Sequence, residues 1–139
     1  MSTTFKKSIV IVDDHPLMRK GLALTLDSDP KYEVIEQLER GEELIQRLDE
    51  LSPDLIIVDV SLPGMSGLEL VKHIISQKED QKMLVVSRHD ESLYAERVIR
   101  AGAKGYVMKL EASEVLLKAV RKVMNGSIYV SEEVSERLL

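Results

Sequence analysis

The chain contains no cysteine. Disulfides, thiolate nucleophiles and thiolate metal sites are therefore excluded, and the absence suits a reducing compartment. It also lacks a long hydrophobic run. The apolar stretch after Met1-Ser2-Thr3-Thr4-Phe5-Lys6-Lys7 has strand length and soon meets acids, so it is too short for a signal peptide or a membrane span. The expectation is a cytoplasmic protein with no membrane partner. A basic face is missing as well: 19 Lys and Arg stand against 24 Asp and Glu, a formal net charge of −5. Nucleic-acid binding by this chain alone is disfavoured on that ground. No internal repeat and no low-complexity segment is present. Proline is scarce, and its four positions fall at element boundaries. Pro16 fits the first turn of a helix, Pro30 and Pro53 follow helix ends, and Pro63 opens a turn.

What is present is a repeating alternation. At 139 residues, 44% of them apolar, the chain suits one domain with a single core. Ser8-Ile9-Val10-Ile11-Val12 reads as a buried strand, and a helix follows from Pro16, with Leu17, Met18, Gly21, Leu22 and Thr25 at helical spacing. Tyr32 to Leu38 is a more polar strand, expected near a sheet edge. Residues 42–51 carry the helical stripe Leu44, Ile45, Leu48 and Leu51. Leu55-Ile56-Ile57-Val58 is a short run rich in β-branched residues, the mark of a strand buried on both faces. It ends in Asp59, and the turn Pro63-Gly64-Met65-Ser66-Gly67 leads into a third helix. Met83 to Val86 is another buried strand. Residues 91–101 form a helix with Leu93, Tyr94, Val98 and Ile99 inward. Lys104 to Met108 is the last strand, and residues 112–124 the last long helix, whose stripe Val115, Leu116, Ala119, Val120 and Val123 is wide enough for core and partner. Five strands alternating with helices over short connections predict a doubly wound five-stranded parallel sheet with helices on both faces, an α/β three-layer sandwich.

The tail differs. Asn125-Gly126-Ser127 breaks the last long helix, Ile128-Tyr129-Val130 is briefly extended, and Ser131 is an N-cap candidate for a short helix with Val134 and Leu138 on one face. A helix this short does not hold itself together alone. Residues 1–7 are expected to be an N-terminal extension, 8–124 the domain, and 125–139 the start of a linker.

Parallel strands all point one way, so their terminal residues meet at one edge, the edge where ligands bind in open α/β sheets. Those residues are Asp13 and Asp14, Asp59, Ser87 and Lys109. Three crowded carboxylates repel one another unless a cation is present. Hard oxygen ligands in a small cleft suit Mg²⁺, with Mn²⁺ as the substitute, and such an ion keeps waters and completes its shell with a phosphate. Lys109 and the Ser87 hydroxyl suit the remaining phosphoryl oxygens, and Asp59 suits the nucleophile of an acyl phosphate.

On these residues the chain resembles the receiver domain of two-component response regulators. The resemblance rests on Ile-Val-Asp13-Asp14-His15, on Asp59-Val-Ser-Leu-Pro63-Gly-Met-Ser-Gly67, on Ser87 after an apolar strand, and on Ala101-Gly-Ala-Lys-Gly-Tyr106-Val-Met-Lys109. The last run, with Gly126-Ser-Ile-Tyr-Val-Ser131, looks like the NarL/FixJ (LuxR-type) subfamily. It implies a flavodoxin-like, CheY-like (βα)5 fold. It also implies that Asp59 accepts a phosphoryl group from a sensor histidine kinase, that Asp14, Asp59 and the Ser61 backbone carbonyl ligate Mg²⁺, and that Asp13 acts on the metal, often through water. Lys109 would pair with the phosphoryl group and Ser87 would hydrogen-bond it, while Tyr106 changes rotamer as Ser87 moves. The resemblance further implies a switch that catalyses only its own phosphorylation and dephosphorylation, homodimerisation on phosphorylation, and DNA binding only through an absent C-terminal helix-turn-helix domain.

Two positions depart from the commoner pattern. Leu110 replaces a proline that often follows the lysine, so the Lys109–Leu110 bond is expected trans, since cis without proline costs roughly 2.5–4 kcal/mol. Arg88 follows the serine where a small residue is frequent, and its side chain is a candidate to cover the pocket. His15 and His89 flank the pocket. An Asp-based phosphohydrolase of haloacid-dehalogenase type is the alternative, weakened because Ser61 stands where such enzymes favour a second acid. A receiver-shaped module that never takes phosphate is the third reading.

Overall fold

A computed structural model describes residues 5–88, 92–109 and 113–139 of the chain. Five strands form one parallel sheet: β1 (Lys7–Val12), β2 (Tyr32–Leu38), β3 (Leu55–Asp59), β4 (Lys82–Ser87) and β5 (Gly105–Met108), in the order β2-β1-β3-β4-β5. The helices are α1 (Pro16–Asp27), α2 (Gly41–Leu51), α3 (Gly67–Gln77), α4 (Ser92–Arg100), α5 (Ser113–Met124) and α6 (Glu132–Leu138). The expected doubly wound sandwich is therefore present. The polar β2 is an edge strand, and β3, fully buried along its five residues, is central.

Alternation along the strands sorts the core into two layers. Val10, Val12, Ile56, Val58, Met83, Val85 and Tyr106 face α2, α3, α4 and α6. Ile9, Ile11, Leu55, Ile57, Leu84, Val86 and Val107 face α1 and α5. The inner strands β1, β3 and β4 carry unbroken apolar runs because helices roof both of their sides, whereas the edge strand β2 keeps exposed polar residues.

Local sequence sets the element ends. Pro16 sits in the first turn of α1, and its missing N–H leaves no bond unmade. Ser66 caps α3: its hydroxyl accepts from the Glu69 N–H at 3.2 Å, and the Glu69 carboxylate accepts from the Ser66 N–H at 3.4 Å. The inward line of α1 is Leu22, Ala23 and Leu26, whereas Leu17 is 84% exposed. The expected spacing in α1 thus has the right period but only partly marks the buried face.

The tail packs back on the domain. The Tyr129 N–H donates to the Lys104 carbonyl and the Tyr106 N–H donates to the Tyr129 carbonyl, both at 2.9 Å, so this residue extends the sheet beyond β5 in parallel sense. Ser131 caps α6 by accepting from the Val134 N–H at 3.3 Å. Val134 is 3% exposed and joins the core layer under α4, with Leu138 packed against it. A seven-residue helix too short to persist alone is held by this contact.

Candidate functional site

The strand register brings the acids together. Val12 is level with Val58, so Asp13 leaves β1 beside Asp59 at the end of β3. Ser87 is level with Met108, which places Lys109 one residue past it, and the Lys109 N–H donates to the Ser87 carbonyl at 2.6 Å. Four residues named from sequence, Asp13, Asp59, Ser87 and Lys109, make up the buried polar set among the described residues. Asp14 and His15 are part-exposed on the solvent side.

Lys109 is the principal countercharge. Its ammonium, with the side chain fully buried, donates to Asp59 Oδ2 at 3.0 Å and lies 2.9 Å from Asp13 Oδ2. The second approach lacks hydrogen-bond alignment, and Asp13 Oδ2 and Asp14 Oδ1 are buried without a hydrogen-bond partner among the described residues. Asp59 Oδ1 accepts from the Ser61 N–H at 3.1 Å. Asp13 is fixed on its other sides: Oδ1 accepts from the His15 N–H at 2.9 Å, and its carbonyl accepts from Arg19 Nη1 at 2.7 Å.

The donor set fits a hard divalent cation. Asp13, Asp14, His15 and Asp59 each offer one ligand atom, all within 4.8 Å of one another. Two oxygens without hydrogen bonds and an excess of carboxylate over ammonium are what a bound dication would complete.

The loop between β3 and α3 is held tightly. A Cβ on Gly67 would stand 2.5 Å from the Asp59 carbonyl oxygen and 2.8 Å from the Val60 Cα, so only glycine lets α3 begin this close to the end of β3. Gly64 takes φ +68, a left-handed conformation glycine adopts without steric cost. Glu42 of α2 reaches across to accept from the Met65 N–H at 3.3 Å. Sequence reasoning missed Glu42, since only the packing of α2 beside α3 reveals its target.

Of the remaining expected residues, Tyr106 is buried in the layer beneath α4 and α6. Arg88 is exposed at the end of β4. His89 and Leu110 lie outside the described residues, as does the peptide bond expected to be trans. No described helix is long and apolar enough to cross a membrane.

The family model for the response regulator receiver domain matches residues 9–121. The chain belongs to the response regulator receiver family. Its relatives include the transcriptional regulatory protein DegU of Brevibacillus brevis, 35% identical over 96% of this chain and 57% of that protein. The oxygen regulatory protein NreC of Staphylococcus carnosus is 36% identical over 94% of this chain and 61% of its own length. This receiver thus spans about three-fifths of the curated relatives it matches. Among solved structures it is similar to a LuxR-family two-component response regulator from Aurantimonas sp. SI85-9A1, with a TM-score of 0.88, 29% identity and coverage of 95% of this chain and 94% of that one. It is also similar to the isolated receiver domain of RcsB from Salmonella enterica serovar Typhimurium, solved with the phosphomimetic BeF3⁻. There the TM-score is 0.85 and the identity 28%, over 97% and 99% of the two chains. The receiver is of the LuxR/NarL type, and it is a signalling domain.

Proposed function

We propose that Asp59 is the phosphoacceptor and that Asp13, Asp14 and Asp59, with the Ser61 carbonyl, hold Mg²⁺ or in its place Mn²⁺. The observation that carries this reading is a buried carboxylate at the tip of the central strand, 3.0 Å from a buried ammonium and beside two further acids. An Asp59 oxygen attacks phosphorus, the bond from phosphorus to the donor's leaving group breaks, and an acyl phosphate forms. The bound cation supplies charge neutralisation for the phosphoryl oxygens. Lys109 turns its ammonium from the Asp59 carboxylate to the phosphoryl group, and Ser87 at the end of β4 hydrogen-bonds another phosphoryl oxygen. Attack of water on phosphorus later breaks the bond to Asp59, regenerating the carboxylate and releasing phosphate. Arg88, exposed just past the end of β4, adjusts the rate of that hydrolysis. Equal phosphate lifetimes in the wild type and Arg88→Ala would remove this role.

The donor in the cell is a sensor histidine kinase, and the setting is the cytoplasm. Tyr106 carries the change from Ser87 to the surface under α4 and α6. Residues 125–139 lead toward a helix-turn-helix output domain, so that phosphorylation governs dimerisation and transcription. The greater length of the relatives and the regulatory functions in their names support this. Incubation with acetyl phosphate and Mg²⁺ is expected to add one phosphoryl group by intact mass. Asp59→Ala should add none, and equal addition to both proteins would overturn the assignment.

A further inference from the structure

His15 Nδ1 has more polar neighbours than an imidazole nitrogen is able to serve. It lies 3.0 Å from Asp13 Oδ1, 3.3 Å from Asp14 Oδ1, 3.2 Å from Asp59 Oδ2 and 3.1 Å from Lys109 Nζ. Such a nitrogen carries either one proton or one lone pair, directed in the ring plane. It donates to one carboxylate or accepts from the ammonium, and no tautomer satisfies all four contacts. Several oxygens at similar distances around one point are the surroundings of a spherical charge rather than of a directional group. The point taken by this nitrogen is the one that three carboxylates converge on.

We propose that the His15 ring is a displaceable placeholder for the divalent cation: its Nδ1 occupies the point on which the three carboxylates converge and must swing out for the ion to bind. This rests on the reading of the acidic edge as a cation site. Hard cations such as Mg²⁺ prefer oxygen ligands and retain several waters, so the imidazole gives way rather than joining the shell. The ring also has somewhere to go. Its side chain is 29% exposed at the start of α1, whereas the Lys109 side chain is fully enclosed. Asp13 stays anchored when the ring leaves, because the His15 backbone N–H continues to donate to Asp13 Oδ1 at 2.9 Å.

The consequence is that His15 opposes the ion. Mg²⁺ titrations of the full chain, wild type and His15→Ala, followed by ¹⁵N spectra of backbone and histidine rings, test this. His15→Gln serves as a second variant that retains a polar side chain. Removing the ring should tighten Mg²⁺ binding by about tenfold, equivalent to about 1.4 kcal/mol. In the wild type, the His15 ring signals should move to those of a solvent-exposed histidine as the site fills, while those of His73 stay in place. Equal or weaker Mg²⁺ binding by both variants, or unmoved His15 ring signals at saturation, would overturn the placeholder role. Absence of Mg²⁺ binding in all three proteins would instead sink the cation site itself.

Discussion

The strand-tip cluster and the tail are both attached to β5, and they are held by opposite physics. At one end of β5, Lys109 is fixed among carboxylates in a buried site. At the other, Gly105 and Tyr106 meet Tyr129, and beyond it Val134 is buried in the core layer beneath α4. The cluster concentrates unlike and like charges that a cation rebalances. The tail is held by apolar burial and the backbone hydrogen bonds of Tyr129, with Arg100 donating to the Arg137 carbonyl at 3.3 Å, and among the described residues no cluster of acids able to hold a metal ion lies within it. Only Val107 and Met108 stand between Tyr106 and Lys109. A domain that must sense charge at one place and report it at another benefits from this division, since each end responds to a different perturbation.

The largest separation between the two ends should come from Lys109→Met. It leaves Asp13 and Asp59 buried without their ammonium, a loss of about 3–5 kcal/mol in urea unfolding, of which millimolar Mg²⁺ should return part. An Mg²⁺-insensitive loss would break the distinction drawn above. Next is Gly67→Ala, whose Cβ must push the backbone at Asp59, at a cost of about 1–3 kcal/mol by the same assay and with slower phosphoryl uptake. Val134→Ala removes two buried methyl groups, worth about 1–2 kcal/mol. Hydrogen exchange should then lose protection across residues 128–138 while phosphoryl uptake at the cluster persists.

The smallest effect lies at the sheet's far edge. The Gln37 N–H, donating at 2.9 Å, and then Arg47, also at 2.9 Å, hold the Glu36 carboxyl below its ordinary value. A depressed folded-state pKa contributes stability above the unfolded value and loses it as pH falls through the folded one. Glu36→Gln should therefore cost a few tenths of a kcal/mol at pH 7 and nothing in strong acid, as measured by thermal unfolding at both pH values.

The cluster was legible in the sequence because parallel topology converts strand-end identity into spatial proximity. Once the five apolar runs are strands, Asp13, Asp59, Ser87 and Lys109 have one place to go. The tail was legible only as pieces, namely the Ser131 cap and the shared face of Val134 and Leu138. That it docks beneath α4 depends on Tyr129 pairing with β5, a long-range contact with no local signature. The spacing read in α1 did not tell that Leu22, Ala23 and Leu26 are buried while Leu17 stands outside, because helical period fixes spacing and not which line faces the sheet. Glu42 and the central position of His15 depend in the same way on which elements become neighbours. The run Asp13-Asp14-His15 was visible, but the sequence does not say that the ring turns inward.

A cation-assisted acyl phosphate at the tip of β3 is the chemistry proposed for this domain. Borohydride trapping after exposure to acetyl phosphate, followed by peptide mapping, reads it directly. Residue 59 should be the labelled position when Mg²⁺ is present and should lose the label in excess chelator. Labelling at another residue, or equal labelling at Asp59 with and without the ion, would contradict it.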